Sequence, residues 1–239
     1  MRIAILQPSY LPWLGYFEQM ARVDRFVFLD DVQYTRRDWR NRNRVRTREG
    51  WCWLTVPVIQ KNRYRQLLKE TRIDPSMPWR RKHLETLRAN YAHAPYFDLY
   101  FPRLESIYNK DPVFLVDLCY AGIGVLCEAF GIDTPTVPSS GLESGGEKVE
   151  RILSLCRVLG ATEYLNGDAG RGYLSEDIFR KAGISLIFQE YRHPQYDQRF
   201  PGFVPYLSAV DLLFNCGEKS GAILRQGGEV FEVPVPPGN

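Results

Sequence analysis

The sequence predicts an α/β fold, a Rossmann-like parallel sheet with helices on both faces and a helical insertion in the middle. Three observations carry this. Short apolar runs at 2–7, 24–31, 163–167 and 184–189 have the length of strands buried on both faces. Stretches of helical periodicity lie between and around them. The first thirty or so residues read strand, loop, helix, strand, about the length of one right-handed crossover.

The elements follow in order. Residues 2–7 (RIAILQ) form a strand, and Pro8 to Pro12 mark a loop. The spacing predicts a helix over 14–23, with Leu14, Phe17, Met20 and Ala21 on one face. Residues 24–31 are a second buried strand, and 51–58 a further strand edged by Pro57. Helices are expected over 79–91, 98–109 and 112–130, the last stopped by Gly131. The pattern then returns to α/β: a strand at 134–140, an amphipathic helix at 146–160, a strand at 163–167, a helix at 175–183 capped by Ser175 and closed by Gly183, and a strand at 184–189. The whole divides as a single α/β domain: an N-terminal half (1–78), a helical insertion (79–131), a C-terminal half (132–227) and a loosely ordered Gly/Pro-rich tail (228–239).

Composition narrows the functional classes. Of 239 residues, 44% are hydrophobic and 25% charged, enough apolar surface to offset chain ordering and exclude bulk disorder. There is no apolar run of roughly 18 residues that would span a membrane. The opening MRIAILQP reads as a strand rather than a signal peptide. Five cysteines without a C-x-x-C pair read as free thiols, and His83, His93 and His193 lie far apart, so no metal site is expected. These features point to a cytoplasmic protein. The net charge of +3 conceals a division. Residues 36–88 hold 16 Lys and Arg against 5 Asp and Glu, a net +11, while the rest of the chain carries −8. That distribution favours a phosphate-bearing ligand.

Four segments carry candidate chemistry. The loop after the first strand (Gln7, Tyr10, Trp13, Gly15) would lie at the carboxyl end of the sheet, where open α/β proteins bind ligands. Its aromatic residues also suit capping the core, but a polar Gln before a double-proline aromatic loop favours function. Asp30 and Asp31 end the second strand, one able to face a ligand and the other solvent. In RRDWRNRNRVRT, alternate arginines from Arg40 to Arg48 would share one face of an extended segment. Arg37, Asn41, Arg42 and Arg44, with Trp39, Trp51 and Trp53 nearby, suit phosphate or carboxylate oxygens. In the C-terminal half, Ser144–Gly146 precedes a helix. Asn166 and Arg171 belong to a Gly-rich loop after a strand, and either turn suits an anion. Ser208, Asp211 and Asn215 follow helical spacing beside an apolar face, where a structural role is favoured. There is no G-x-S-x-G elbow, and no cysteine has a persuasive base.

Taken together, QPSYLPWLGYF, FLDDVQYTRRDWRNRNRVRT, WLTVPV, Lys82–His83, APYF (94–97), YLNG and FVPYLSAVDLLFN run in the order seen in WbqC-like proteins, and the chain resembles that family over nearly its whole length. The resemblance implies a bacterial cytoplasmic protein of polysaccharide (O-antigen) and natural-product gene clusters, some members being associated with attaching glycine to an amino sugar. A looser likeness, at the level of fold, is to H-x-G-H nucleotidyltransferase-type enzymes. Trp13 and Tyr16 stand where their histidines would, so positive charge for a departing pyrophosphate would have to come from Arg37, Arg42, Arg44, Lys82 or Arg171.

The resulting expectation is a transferase forming an amide between an aminoacyl group, glycyl among the candidates, and the amine of a nucleotide-linked amino sugar. Gln7, Tyr10, Trp13 and Gly15 would line the pocket, and Asp30 or Asp31 would orient or deprotonate the amine. Arg37, Asn41, Arg42, Arg44 and Lys82 would hold phosphates, and His83 is a candidate acid or base on a helix surface. ATP with Mg2+ is the expected cofactor if the amino acid is activated on the enzyme, and tRNA is the partner if it arrives activated. The alternatives are an ATP-using nucleotidyltransferase or adenylating ligase, and a non-enzymatic RNA- or tRNA-binding module.

Overall fold

A computed structural model describes residues 1–61 and 63–232. Its centre is a six-stranded sheet. Strands β1 (Arg2–Leu6), β2 (Arg25–Phe28), β5 (Thr136–Pro138), β6 (Glu163–Gly167) and β7 (Ser185–Tyr191) run parallel, and β8 (Gly228–Glu232) pairs antiparallel with β7. The spatial order is β5-β2-β1-β6-β7-β8. The chain builds outward from β1 in one direction and returns beside it with β6 to build the other way. The switch point therefore lies between β1 and β6. Strand β8 corrects the expectation of a loose tail. Gly228–Glu232 satisfies the open edge of β7, and the rest of the predicted tail, 233–239, lies outside the described residues.

Alternating side chains divide the sheet between two cores. Ile3, Ile5, Val27, Tyr164, Leu186 and Phe188 pack against α5 (Lys148–Leu159) and α6 (Glu176–Lys181). Ala4, Phe26, Phe28, Leu165 and Ile187 face the opposite layer, formed by α1 (Leu14–Ala21), α2 (Trp79–Tyr91), α3 (Phe97–Asn109), α4 (Leu115–Phe130), α7 (Val210–Cys216) and α8 (Ser220–Gln226). The helices of 79–131 thus share one core with α1 and the sheet. Helix α4 starts at Leu115 rather than at 112. Pro112 has no N–H to give, Phe114 is extended, and the Leu115 N–H is tied to Thr71 O at 2.8 Å. At α6 the Ser175 hydroxyl makes no capping bond, although Gly183 closes the end with φ +72° as expected.

The basic segment forms its own hairpin, β3 (Arg42–Thr47) against β4 (Gly50–Thr55). Register places Arg44 opposite Trp53 and Arg46 opposite Trp51, so arginines and tryptophans share one face. Asn43, Val45 and Leu54 fill the other face and are buried.

Candidate functional site

A cavity of about 400 Å³ opens at the carboxyl ends of β1, β6 and β7, reached by Leu6, Gly167 and Gln189. This is the switch point of the sheet, where neighbouring connections diverge and leave a crevice. Helix α1 closes its base. Gln19 donates Nε2 to Leu165 O at 2.9 Å, and Gln189 donates Nε2 to Gly15 O at 3.0 Å. Gln189 Nε2 also donates to the buried Glu18 carboxylate, so in both side chains the amide nitrogen is spent and the oxygen is the group left to accept.

The first loop supplies the aromatic wall. Trp13 stands before α1 with its ring edge-on to Tyr191, centroids 5.4 Å apart, and 5.8 Å from Tyr206. Gly15 has a specific reason: a Cβ there would overlap the folded-back Trp13 indole. The close approach is made by the chain's own side chain. Gly15→Ala is therefore expected to displace Trp13 and cost about 1–3 kcal/mol by overpacking. Near-ultraviolet circular dichroism and the melting temperature would report it, and an unchanged Trp signal would refute it. Gln7, expected to line the pocket, lies outside the lining, and its carbonyl accepts from Tyr16 Oη at 3.3 Å and Arg40 Nη1 at 3.2 Å.

Opposite lies a cationic wall. Arg40 is braced by Ser9 Oγ at 2.8 Å. Asn43 donates Nδ2 to Leu11 O at 2.7 Å, seating the hairpin on the first loop. Arg44 donates Nη2 to Tyr206 O at 3.1 Å, while its Nε–H meets no acceptor among the described residues. Leu11 and Tyr206, both beside this cavity, hold φ of 43° and 58°. Left-handed backbone without glycine is strained, and persists where surroundings over-determine it. Trp39, Arg40, Arg44 and Tyr206 complete the rim.

The structure places the other expected site residues elsewhere. Asp30 is buried and accepts from Ser140 N at 2.9 Å and Ser140 Oγ at 2.8 Å, while its own N–H donates to Ser139 Oγ at 3.2 Å. Asp31 accepts from Ser139 Oγ and pairs with Arg151. Both carboxylates join β2 to β5 outside the cavity lining. The Ser144–Gly146 turn closes on its own helix, the Gly145 N–H going to Ser154 Oγ at 3.0 Å. Asn166 is buried at the end of β6. Arg171 pairs with Asp168 at 2.7 Å over the Phe188 ring. Asn41 is buried and donates to Val56 O at 2.7 Å. Exposed Arg37 offers its carbonyl to Arg42, whose guanidinium lies 4.3 Å from the Trp53 ring centroid.

His83 corrects the expectation of a surface residue. It is buried, with Nδ1 2.9 Å from Tyr10 Oη and Nε2 3.2 Å from Thr55 O, and Tyr10 Oη also meets Tyr108 Oη. Tyr10 is thus a core residue 1% exposed. Lys82 and His83 line a second cavity of about 410 Å³ beyond Trp53. Burial pulls the His83 imidazole from its ordinary 6.5 down to about 4. The unfolded chain therefore takes the proton first, and this residue's contribution to stability is lost as pH falls from about 6.5 towards 4. At pH 5 the loss amounts to about 2 kcal/mol. Urea unfolding of His83→Gln should show that much less acid destabilisation than the parent between pH 7 and 5. Parallel pH profiles would contradict it.

Ser9 reaches the cavity from the first loop and Trp39, Arg40 and Asn43 from the basic segment, while Gln19, Gln189 and Tyr206 line it without having been singled out. Gln189 carried a readable signal, an amide ending an otherwise apolar strand. Tyr206 lies in the FVPYLSAVDLLFN segment of the family resemblance, but nothing local placed it at the cavity, because its position depends on the path of the 192–206 loop. Among the described residues, no helix is long and apolar enough to cross a membrane.

The model of the WbqC-like protein family matches residues 7–223, from the first loop to α8. A relative from Mycobacterium tuberculosis (strain ATCC 25618 / H37Rv), named "Uncharacterized protein Rv1507c", is 38% identical over 226 residues, which is 94% of this chain and 97% of the relative. No solved structure matches. Since the match spans nearly the whole chain, with the first loop and the Arg/Trp hairpin inside it, the chain belongs to the WbqC-like protein family.

Proposed function

We propose that the chain is a transferase that joins an aminoacyl group to the amine of a nucleotide-linked amino sugar, with the phosphate-bearing acceptor in the switch-point cavity. The observation carrying this reading is the convergence of Arg40 and Arg44 with Trp13, Trp39 and Tyr206 on that cavity. Guanidinium forks suit diphosphate oxygens, and aromatic faces suit a base or sugar ring. The Gln19 and Gln189 oxygens would accept the N–H bonds of the acceptor amine. Two nearby guanidinium groups favour its uncharged, nucleophilic form, since a like charge disfavours the ammonium. Asp30 and Asp31 would act only from beyond the lining, as positioning groups for the strand ends.

The test is incubation of the purified chain with amino acid, ATP, Mg2+ and amino-sugar nucleotides, followed by mass spectrometry. An acceptor heavier by one aminoacyl residue supports the reading. Unchanged acceptors, with both ATP and aminoacyl-RNA supplied, would sink it. If ATP with Mg2+ activates the amino acid, pyrophosphate exchange into ATP will depend on that amino acid. A preactivated donor requires no such exchange.

A further inference from the structure

We propose that the outer face of the β3–β4 hairpin is a docking platform for the single-stranded end of an RNA carrying the aminoacyl donor as an ester. The inference rests on the transferase reading and names the donor's carrier. Trp39, Trp51 and Trp53 are 42%, 43% and 38% exposed, although tryptophan normally seeks burial. They form one cluster, Trp53 lying with its centroid 5.4 Å from Trp39 and 5.5 Å from Trp51. Arginines are threaded through it. Arg42 sits 4.3 Å from the Trp53 centroid, and Arg44 lies 5.0 Å from Trp51 and 5.6 Å from Trp39. Exposed Arg36 and Arg37 extend the charge at one margin, and Arg36 lies 5.1 Å from the ring of exposed Tyr64.

Stacking faces interleaved with guanidinium groups match unstacked bases joined by phosphates. A duplex would hide its base faces. A neutral glycan would stack on the rings and leave the cations unused, so Arg36, Arg37, Arg42 and Arg44 around the rings favour the polyanion. The platform is also continuous with the proposed acceptor site, because Trp39 and Arg44 belong to both. A donor ester held at the platform's inner edge would therefore face the acceptor amine. The amine nitrogen attacks the ester carbonyl carbon and a C–N bond forms. The ester C–O bond breaks, and the terminal hydroxyl of the RNA leaves with the proton the amine gives up.

The test is fluorescence anisotropy of the full chain with a 5′-fluorescein eight-nucleotide single-stranded RNA, with calorimetry of a uridine-diphosphate amino sugar in parallel. Expected are binding that quenches tryptophan emission, a log–log salt slope of about −1.5 to −3 for two to four phosphates, and little competition from a blunt duplex. Trp53→Ala and Trp51→Ala should each weaken RNA binding about 5- to 150-fold, and Arg42→Ala should flatten the salt slope, with unchanged far-ultraviolet circular dichroism. No RNA binding at low salt, equal duplex binding, or wild-type affinity in folded Trp53→Ala and Arg42→Ala variants would overturn the inference. Sugar-nucleotide binding without RNA binding removes the platform and leaves the cavity reading. RNA binding without sugar-nucleotide binding keeps the platform and removes the acceptor assignment.

Discussion

Replacing Arg46 with alanine is expected to cost roughly 3–5 kcal/mol of folding stability, the range for breaking a buried charged network by removing one member. Arg46 is 3% exposed although it shares a strand face with Arg42 and Arg44. Its Nη1 donates to Thr47 O and Gly50 O at 2.8 Å, and the two N–H bonds of Nη2 are shared among Phe200, Pro201 and Gly202 carbonyls at 3.3, 2.7 and 2.9 Å. It thereby staples the 199–202 loop to the hairpin. Its backbone N–H reaches Tyr91 Oη at 2.8 Å, and Tyr91 donates to Asp211 Oδ1 at 2.8 Å. Asp211, fully buried, also accepts from Tyr196 Oη at 2.8 Å and Gln198 Nε2 at 2.9 Å. Burial raises its carboxyl from 3.8 to about 6, against the opposing pull of these donors and the Arg46 charge.

The pH dependence follows in sign. A carboxyl whose folded value is raised holds its proton longer in the native state, so its contribution to stability is lost as pH rises from about 4 through 6. Removing Arg46 takes away the cation that favours the ionised form. The Arg46→Ala penalty should therefore be larger at pH 8, where Asp211 must be charged, than at pH 5. Urea unfolding at the two values measures both effects. A loss below about 1 kcal/mol, or no difference between the two pH values, would show that the network is not coupled in this way.

Arg44→Ala is expected to weaken binding of a sugar nucleotide by about 2–3 kcal/mol, roughly 30- to 150-fold, the worth of a charge-assisted hydrogen bond plus lost stacking. Arg44 is half-buried, so the fold should survive the change. Arg44→Lys should recover little. An ammonium cannot match the planar fork that reaches Tyr206 O while lying among Trp39, Trp51 and Trp53. Lys82→Ala should leave affinity unchanged, because Lys82 lines the second cavity. Calorimetry on the three variants checks this, and equal affinities for Arg44→Ala and the parent would remove the phosphate from the cavity.

Local pattern made particular elements readable. Helix α2 matches the expected 79–91 and β6 matches 163–167, because apolar period and flanking breakers act within a few residues. The alternation of Arg42, Arg44 and Arg46 also gave a shared face. That alternation does not separate their roles. Arg46 is buried under carbonyls 154 to 156 residues away, while Arg42 stays among exposed tryptophans. Asp30 and Asp31 read as free carboxylates because Ser139, Ser140 and Arg151, which occupy them, lie more than 100 residues later. His83 read as a surface residue because its partners, Tyr10 and Thr55, arrive from other elements.

The sequence by itself determined the α/β class, the parallel strands at both ends, the segregation of positive charge into 36–88 and the family resemblance. Each depends on composition or on periodicity over a short window. Only the tertiary structure decided which polar groups are satisfied and which face open space. It spent Asp30, Asp31, Tyr10, His83 and Asn41 on internal hydrogen bonds. It left Arg40, Arg44, Gln19, Gln189 and Trp13 around the crevice between β1 and β6. The physical reason is that a buried polar group must find a partner, and the partner is supplied by whichever distant segment the fold brings to it.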